Sequence, residues 1–84
     1  MIKDEQGNRR FYGIYRGIVT HNLDPLKKNR IRMNIPQVLG DQVTNWAWGF
    51  NEFSAPKIGQ GVWVMFEGGD PAYPVWMGSF GTIY

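Results

Sequence analysis

The chain contains no cysteine and a single histidine, His21. A disulfide framework is therefore excluded, and a zinc or haem site starts without its usual ligands. Long apolar runs are missing as well. No uninterrupted segment approaches the ~18 to 20 residues needed to cross a bilayer, and Met1-Ile2-Lys3-Asp4-Glu5 lacks the apolar core of a signal peptide. The expectation is a protein made in a cytoplasm that stays soluble, with no direct insertion into a membrane. Charge of one sign is scarce: the balance is +2, too small by itself to argue for a polyanionic partner. No stretch carries the three-and-four spacing of an amphipathic helix.

Catalytic chemistry is absent in the same way. Asp24, Asp41, Glu52, Glu67 and Asp70 fall in loops or at strand ends, with no pair placed to converge. His21 has no cysteine and no evident serine partner, and Ser54 and Ser79 stand in no nucleophile elbow. The glycines of Gly59-Gln60-Gly61 and Gly68-Gly69 are not followed by the lysine and hydroxyl residue of a phosphate-binding loop, so they read as turn geometry. Catalytic residues, cofactors and metals are all expected to be none, and His21 reads as a half-buried hydrogen-bonding residue near a strand end.

What the chain does have is β-forming sequence and turns. Apolar residues make up 43% and aromatics 15%, with 11 glycines and 5 prolines, which is globular and turn-rich rather than disordered. At 84 residues it makes one small domain that hides only ~60 to 65% of its unfolded surface, so oligomerisation would help it. Residues 1–10 are polar and read as an N-terminal arm; residues 11–84 read as a single barrel.

From Phe11 to Leu23 the chain is dense in aromatic and β-branched residues, with Gly13 and Gly17 placed to let one long strand bend or bulge. On a period of two, Gly17, Val19 and His21 share a face. Asp24-Pro25-Leu26-Lys27-Lys28-Asn29 forms a turn in which Asp24 can bond the backbone ahead of it. Arg30 to Ile35 then alternates, with Ile31, Met33 and Ile35 on one face and Arg30, Arg32 and Asn34 on the other. Pro36 ends that strand, and residues 38–44 connect it to a third one at 45–50, which places Trp46, Trp48 and Phe50 together. A loop through Ser54 and Pro56 leads to strands at 61–66 and 74–80, after which Gly81-Thr82-Ile83-Tyr84 leaves the barrel. Five short strands without covering helices predict an all-β, five-stranded OB-fold, a Greek-key barrel, with an SH3-like barrel as the structural competitor.

Two segments carry a family resemblance. Gly17-Ile18-Val19 with Leu23-Asp24-Pro25-Leu26-Lys27-Lys28-Asn29-Arg30-Ile31-Arg32-Met33 resembles the start of the OB domain of central spike and hub proteins in contractile phage tails, where a "DP" turn precedes a "G-R-V-R-V" strand. Asn29 stands at the glycine position of that pattern, and Asn also accepts a left-handed backbone. Residues 56–71, from Pro56 to Pro71, with Tyr73-Pro74-Val75-Trp76-Met77-Gly78 are similar to the closing hairpin "P-x-x-G-x-x-V-x-V-x-F-x-x-G-D-x-x-x-P-V-x-x-G" of phage baseplate spikes and of the related type VI secretion spikes. The resemblance implies a non-catalytic, trimeric OB domain on a tail axis, docking between tail hub and spike proteins in the virion. Family spikes can continue into a lysozyme domain and a β-helix; this chain, which stops at Tyr84, is expected to have neither.

Candidate interface residues follow from parity. With Val62, Val64 and Phe66 joining Val19, Ile31 and Met33 in the core, Trp63 and Met65 face outward, and in the fifth strand either Trp76 or the Val75 and Met77 pair does the same. Surplus aromatic surface points to a partner, covering by the chain's own arm or loop, or a base-stacking platform. Trp63, Met65, Trp76 and Tyr73 are the candidates for the interface, with Lys27, Lys28 and Arg32 for electrostatic docking. The same basic cluster lies where OB-folds bind single-stranded nucleic acid, which supplies the alternative reading. Against it, Glu67 and Asp70 place negative charge at one rim.

Overall fold

The computed structural model describes residues 2–3, 7–50 and 54–82. Glu52, Ile83 and Tyr84, which the sequence places in a loop and in a departing tail, lie outside the described residues. An antiparallel pair comes first, β1 (Ile2–Lys3) with β2 (Arg9–Arg10), separate from the main sheet. The main sheet consists of β3 (Tyr15–His21), β4 (Arg32–Asn34), β5 (Trp48–Gly49), β6 (Gln60–Phe66) and β7 (Pro74–Thr82). One helical turn, α1 (Pro36–Leu39), follows β4; Pro36 has no N–H to lose there and its fixed φ suits a first helical position.

The order in the sheet is β4-β3-β6-β7-β5. All neighbours are antiparallel except β5 and β7, which run parallel in the register Trp48↔Val75 and Gly49↔Trp76. Two isolated bridges, Ile31↔Ala47 and Asn34↔Val43, join β4 to the segment entering β5. The two edges of the sheet therefore meet, and it curls into the small OB-type barrel that the strand count predicts.

Alternation delivers the expected core. Val19, Ile31, Met33, Val62, Val64 and Phe66 are all buried, together with Phe11, Ile35, Ala47 and Trp76. Trp76 corrects the expectation of an outward indole. It pairs with inward-facing Val64 and is 2% exposed, while Val75 and Met77 take the outer positions. The ladder between β6 and β7 is irregular on both sides of Val62, and Gly78 (φ 136°) and Gly81 (φ 102°) adopt backbones that favour glycine there. These irregularities curl β7 and carry its pairing on to Gly81 and Thr82, which stay in the strand rather than leaving the barrel.

Gly17 has a different role from the one its position in a strand predicts. The bulge in β3 lies between Val19 and His21, not at Gly17. Gly17 instead makes room: a Cβ there would stand 2.6 Å from Met33 Sδ and 3.1 Å from Val64 Cγ2. The bulge also moves His21 off the Gly17 and Val19 face, so His21 is exposed rather than half-buried, with Nδ1 2.9 Å from Thr20 Oγ1. One barrel end is closed by Phe11, whose N–H donates to Gly69 O at 2.8 Å and whose ring packs on Tyr15 and Phe66 at 6.0 and 6.2 Å.

Because Met33 and Val64 are fully buried, they have little room to yield to an added methyl. Gly17→Ala is expected to cost about 1 to 3 kcal/mol, the range for overpacked cores. Urea unfolding should show a lower midpoint at an unchanged slope.

Candidate functional site

The turn after β3 is built on one carboxylate. Asp24 accepts from the backbone N–H groups of Leu26 (2.9 Å), Lys28 (3.1 Å) and Arg30 (3.2 Å), and from Arg30 Nε (2.8 Å) and Nη2 (2.9 Å). Its side chain is 2% exposed, so these bonds replace water rather than compete with it. The Arg30 guanidinium holds the Asp24 carboxyl well below the usual carboxylate range; burial opposes that shift, and the Leu26, Arg30 and Lys28 amides reinforce it. Arg30 is raised in return, chiefly by its bond to Asp24. Lys27 (φ 55°) and Asn29 (φ 58°) are left-handed within the turn, Asn29 as expected at its glycine position.

Arg30 also ties the turn to β5 and the segment entering it. Its guanidinium lies 5.3 Å from the Trp48 ring and 5.8 Å from the Trp46 ring, and Arg32 lies 6.0 Å from Trp46. Arg32 is further engaged through Nε, which donates to Thr44 O at 2.9 Å. Thr44 is buried, its Oγ1 accepts from Met33 N–H, and its own N–H donates to Met33 O, so the entry to β5 is pinned to β4. Arg32, a predicted docking residue, is thus committed to holding the barrel edge. Lys27 and Lys28 stand exposed in the turn as expected.

A second surface forms on the outer face of β3, β6 and β7. Arg16 and Trp63 are directly paired across β3 and β6. The Arg16 guanidinium lies 5.3 Å from the Trp63 ring and 5.6 Å from the Phe80 ring, and the two rings are 4.8 Å apart at 45°. Met65 (39% exposed) shares this outer face, and Tyr73 (60% exposed) stands at the hairpin end. Of the seven predicted interface residues, then, Trp63 and Met65 share one surface, Lys27 and Lys28 lie at the first turn, and Trp76 is withdrawn into the core.

Sequence reasoning missed Arg16, Phe80 and the stacking of Arg30 on two indoles. Alternation had put Arg30 and Arg32 on one face of their strand and Trp46 and Trp48 on one face of theirs. Which rows adjoin depends on register, a property no single strand contains.

Among the described residues no group of three or more His, Asp or Glu side chains is placed to hold a metal ion. The open depression of about 520 Å³ beside β7 is lined by Ser54, Pro56, Gln60, Trp76, Met77 and Ser79, and these residues bring no acid or base to it.

A curled five-strand sheet with this order, closed by bridges between its edges, defines an OB domain. Residues 15–80 match the family described as the type VI secretion system/phage-baseplate injector OB domain, and the chain belongs to that family. Membership gives it a structural role in an injector of the phage-baseplate kind. No curated protein matches the chain.

The Asp24 geometry has a pH signature. Folding lowers the Asp24 pKa, so the folded chain binds fewer protons than the unfolded one below the ordinary carboxyl value of about 4. The stabilisation is complete above that pH and is lost as the pH falls toward the depressed folded value. Asp24→Asn should lower the thermal midpoint at neutral pH and flatten its decline on acidification. Midpoints recorded by circular dichroism from about pH 7 down to about pH 2 would show both, and a neutral-pH midpoint equal to the parent's would contradict the role given to Asp24.

Proposed function

We propose that this protein is a non-catalytic OB-fold adaptor at the hub and spike on the tail axis of a phage baseplate or tail-like injection machine. In this reading it forms a homotrimeric ring around the axis, contacts tail hub and spike proteins, and resides in the virion tail after assembly in the host cytoplasm. Family membership supplies the setting. The observation that carries the reading is the outer face of β3, β6 and β7, where Trp63, Phe80 and Met65 remain partly open after the barrel interior has been filled.

An aromatic pair stiffened by a stacked guanidinium, with methionine beside it, has the composition of an interface centre. A small domain with a limited interior also gains stability from burying such a face against a neighbour. Tyr73 extends the surface at the hairpin end, and Lys27 and Lys28 steer docking from the first turn.

The single-stranded nucleic acid reading has Trp46 and Trp48 near a basic turn in its favour. Against it, both rings already carry the Arg30 guanidinium, which competes with a base for stacking there. The hairpin turn between β6 and β7 also presents Glu67 and Asp70, with Asp70 3.3 Å from Arg10.

Sedimentation over a range of concentrations should show a trimer, or a stable complex when the chain is co-expressed with its hub and spike neighbours. Trp63→Asp or Met65→Asp should weaken that association by about 30-fold or more, the scale of an interface hot spot of at least about 2 kcal/mol. A strictly monomeric chain that binds no tail protein would refute the proposal.

A further inference from the structure

At the barrel end where β3 emerges, two hydrogen bonds lash the approach to β6 against the exit of β3. Asn22 Nδ2 donates to Pro56 O at 3.1 Å, and Gly59 N–H donates to Val19 O at 2.9 Å. Between these segments and the entry to β5 lies a hollow of about 230 Å³, walled by Thr20, His21, Leu23, Pro25, Trp46 and Ile58. It is separate from the Trp63 face and from the barrel interior.

Its large side chains are unusually open: Leu23 is 87% exposed and Ile58 63%, and Leu26 in the adjoining turn is 63%. A single exposed aliphatic residue calls for no account. Two of these, Leu23 and Ile58, line one hollow with proline and indole and so form an apolar patch there. The walls are also held in place. Asp24 and Arg30 fix the turn that carries Leu23 and Pro25, while Arg30 and Arg32 fix the Trp46 ring. Little ordering cost remains for a ligand to meet on this side.

Among the described residues, the exposed charges next to the lining residues in the chain are of one sign. Lys27 and Lys28 follow Pro25 and Leu26 in the turn, Lys57 precedes Ile58, and all three are exposed. Among the described residues no carboxylate pairs with any of them; the ion pairs are Arg10 with Asp70 and Arg30 with Asp24. Asp24, the one acid of the turn, is already neutralised by Arg30. An apolar hollow whose lining residues Pro25 and Ile58 have exposed lysines close by in the chain is complementary to a bulky apolar side chain with carboxylates on either side of it. Leu23, Pro25 and Ile58 offer no π-face to a base, and the Trp46 ring already has the Arg30 and Arg32 guanidinium groups over it, which leaves the imidazole of His21; the lining favours a protein segment over a nucleic acid strand.

We propose that this hollow is a docking site for an acidic segment of a partner protein, anchored by one bulky apolar side chain between Leu23, Trp46 and Ile58. The site does not depend on the trimeric reading, because it uses none of the Trp63 surface.

Selection of a random-peptide library on the immobilised full chain tests it, followed by nuclear magnetic resonance titration of the parent with the enriched peptides. Enriched peptides should combine Asp or Glu with Leu, Ile, Phe or Trp, and should shift the signals of Thr20, His21, Leu23 and Ile58. Binding should weaken about tenfold or more in Ile58→Asp, and in the double variant Lys27→Glu/Lys28→Glu. It should weaken further with added salt. Trp63→Asp should bind as the parent does even if it abolishes the trimer, which separates failure of this site from failure of the assembly surface. The proposal is overturned if no peptide is enriched, or if the enriched peptides lack acidic residues. Indifference to Ile58→Asp, or an oligodeoxythymidylate shifting these same signals where acidic peptides do not, would overturn it equally.

Discussion

The carboxylate of Asp24 organises the first turn of the barrel, and much of the outer architecture depends on it. Five hydrogen bonds converge on its two oxygens, three from the backbone of the turn and two from Arg30. A charge removed from water in this way is tolerated only with its partners in place. The turn is consequently held tightly enough to keep Lys27 and Asn29 left-handed, a conformation that costs a side-chain-bearing residue about 1 to 2 kcal/mol. Arg30 then carries the constraint outward to Trp46 and Trp48, so one ion pair sets a turn, a strand start and the position of two indoles.

Closure of the sheet is the second constraint, and it decides what is left for a surface. Two bridges join the edges, and the enclosed space is so tight that Gly17 cannot carry a methyl without pressing on Met33 and Val64. Trp76 takes up much of the interior. Among the aromatics outside it, Trp63, Phe80, Trp46 and Trp48 each have an arginine guanidinium over the ring. Stacked guanidinium groups hold these rings in place without hiding them, which suits a structural part that meets neighbours on its outer surface.

Much of this was legible beforehand, for local reasons. Ile31, Met33, Val62, Val64 and Phe66 alternate within single strands, so their inward direction could be read from period two. The Asp24-Pro25 turn and the tolerance of Asn29 for positive φ followed from side-chain chemistry confined to a few residues. The 56–78 segment carried its family pattern in plain sequence, and the family match over residues 15–80 agrees with it. What failed were His21 and Trp76. A bulge after Val19 reversed the parity at His21, and the irregular ladder beside Val62 left the facing of Trp76 to the pairing with Val64.

Local pattern sets the class: an all-β chain without cysteine, with five strands, a carboxylate-centred turn and a hairpin bearing apolar residues on both faces. Each of these is a property of neighbours along the chain. Folding settled that Trp76 fills the core while Trp63 stays outside, that Gly17 supplies space, and that Arg30 lies across two tryptophans from another part of the chain. It also brought Leu23 and Ile58, far apart in the chain, to one hollow. Register, bulges and closure make those choices, because they relate residues through hydrogen bonds between strands, and no local pattern encodes where a distant strand will lie.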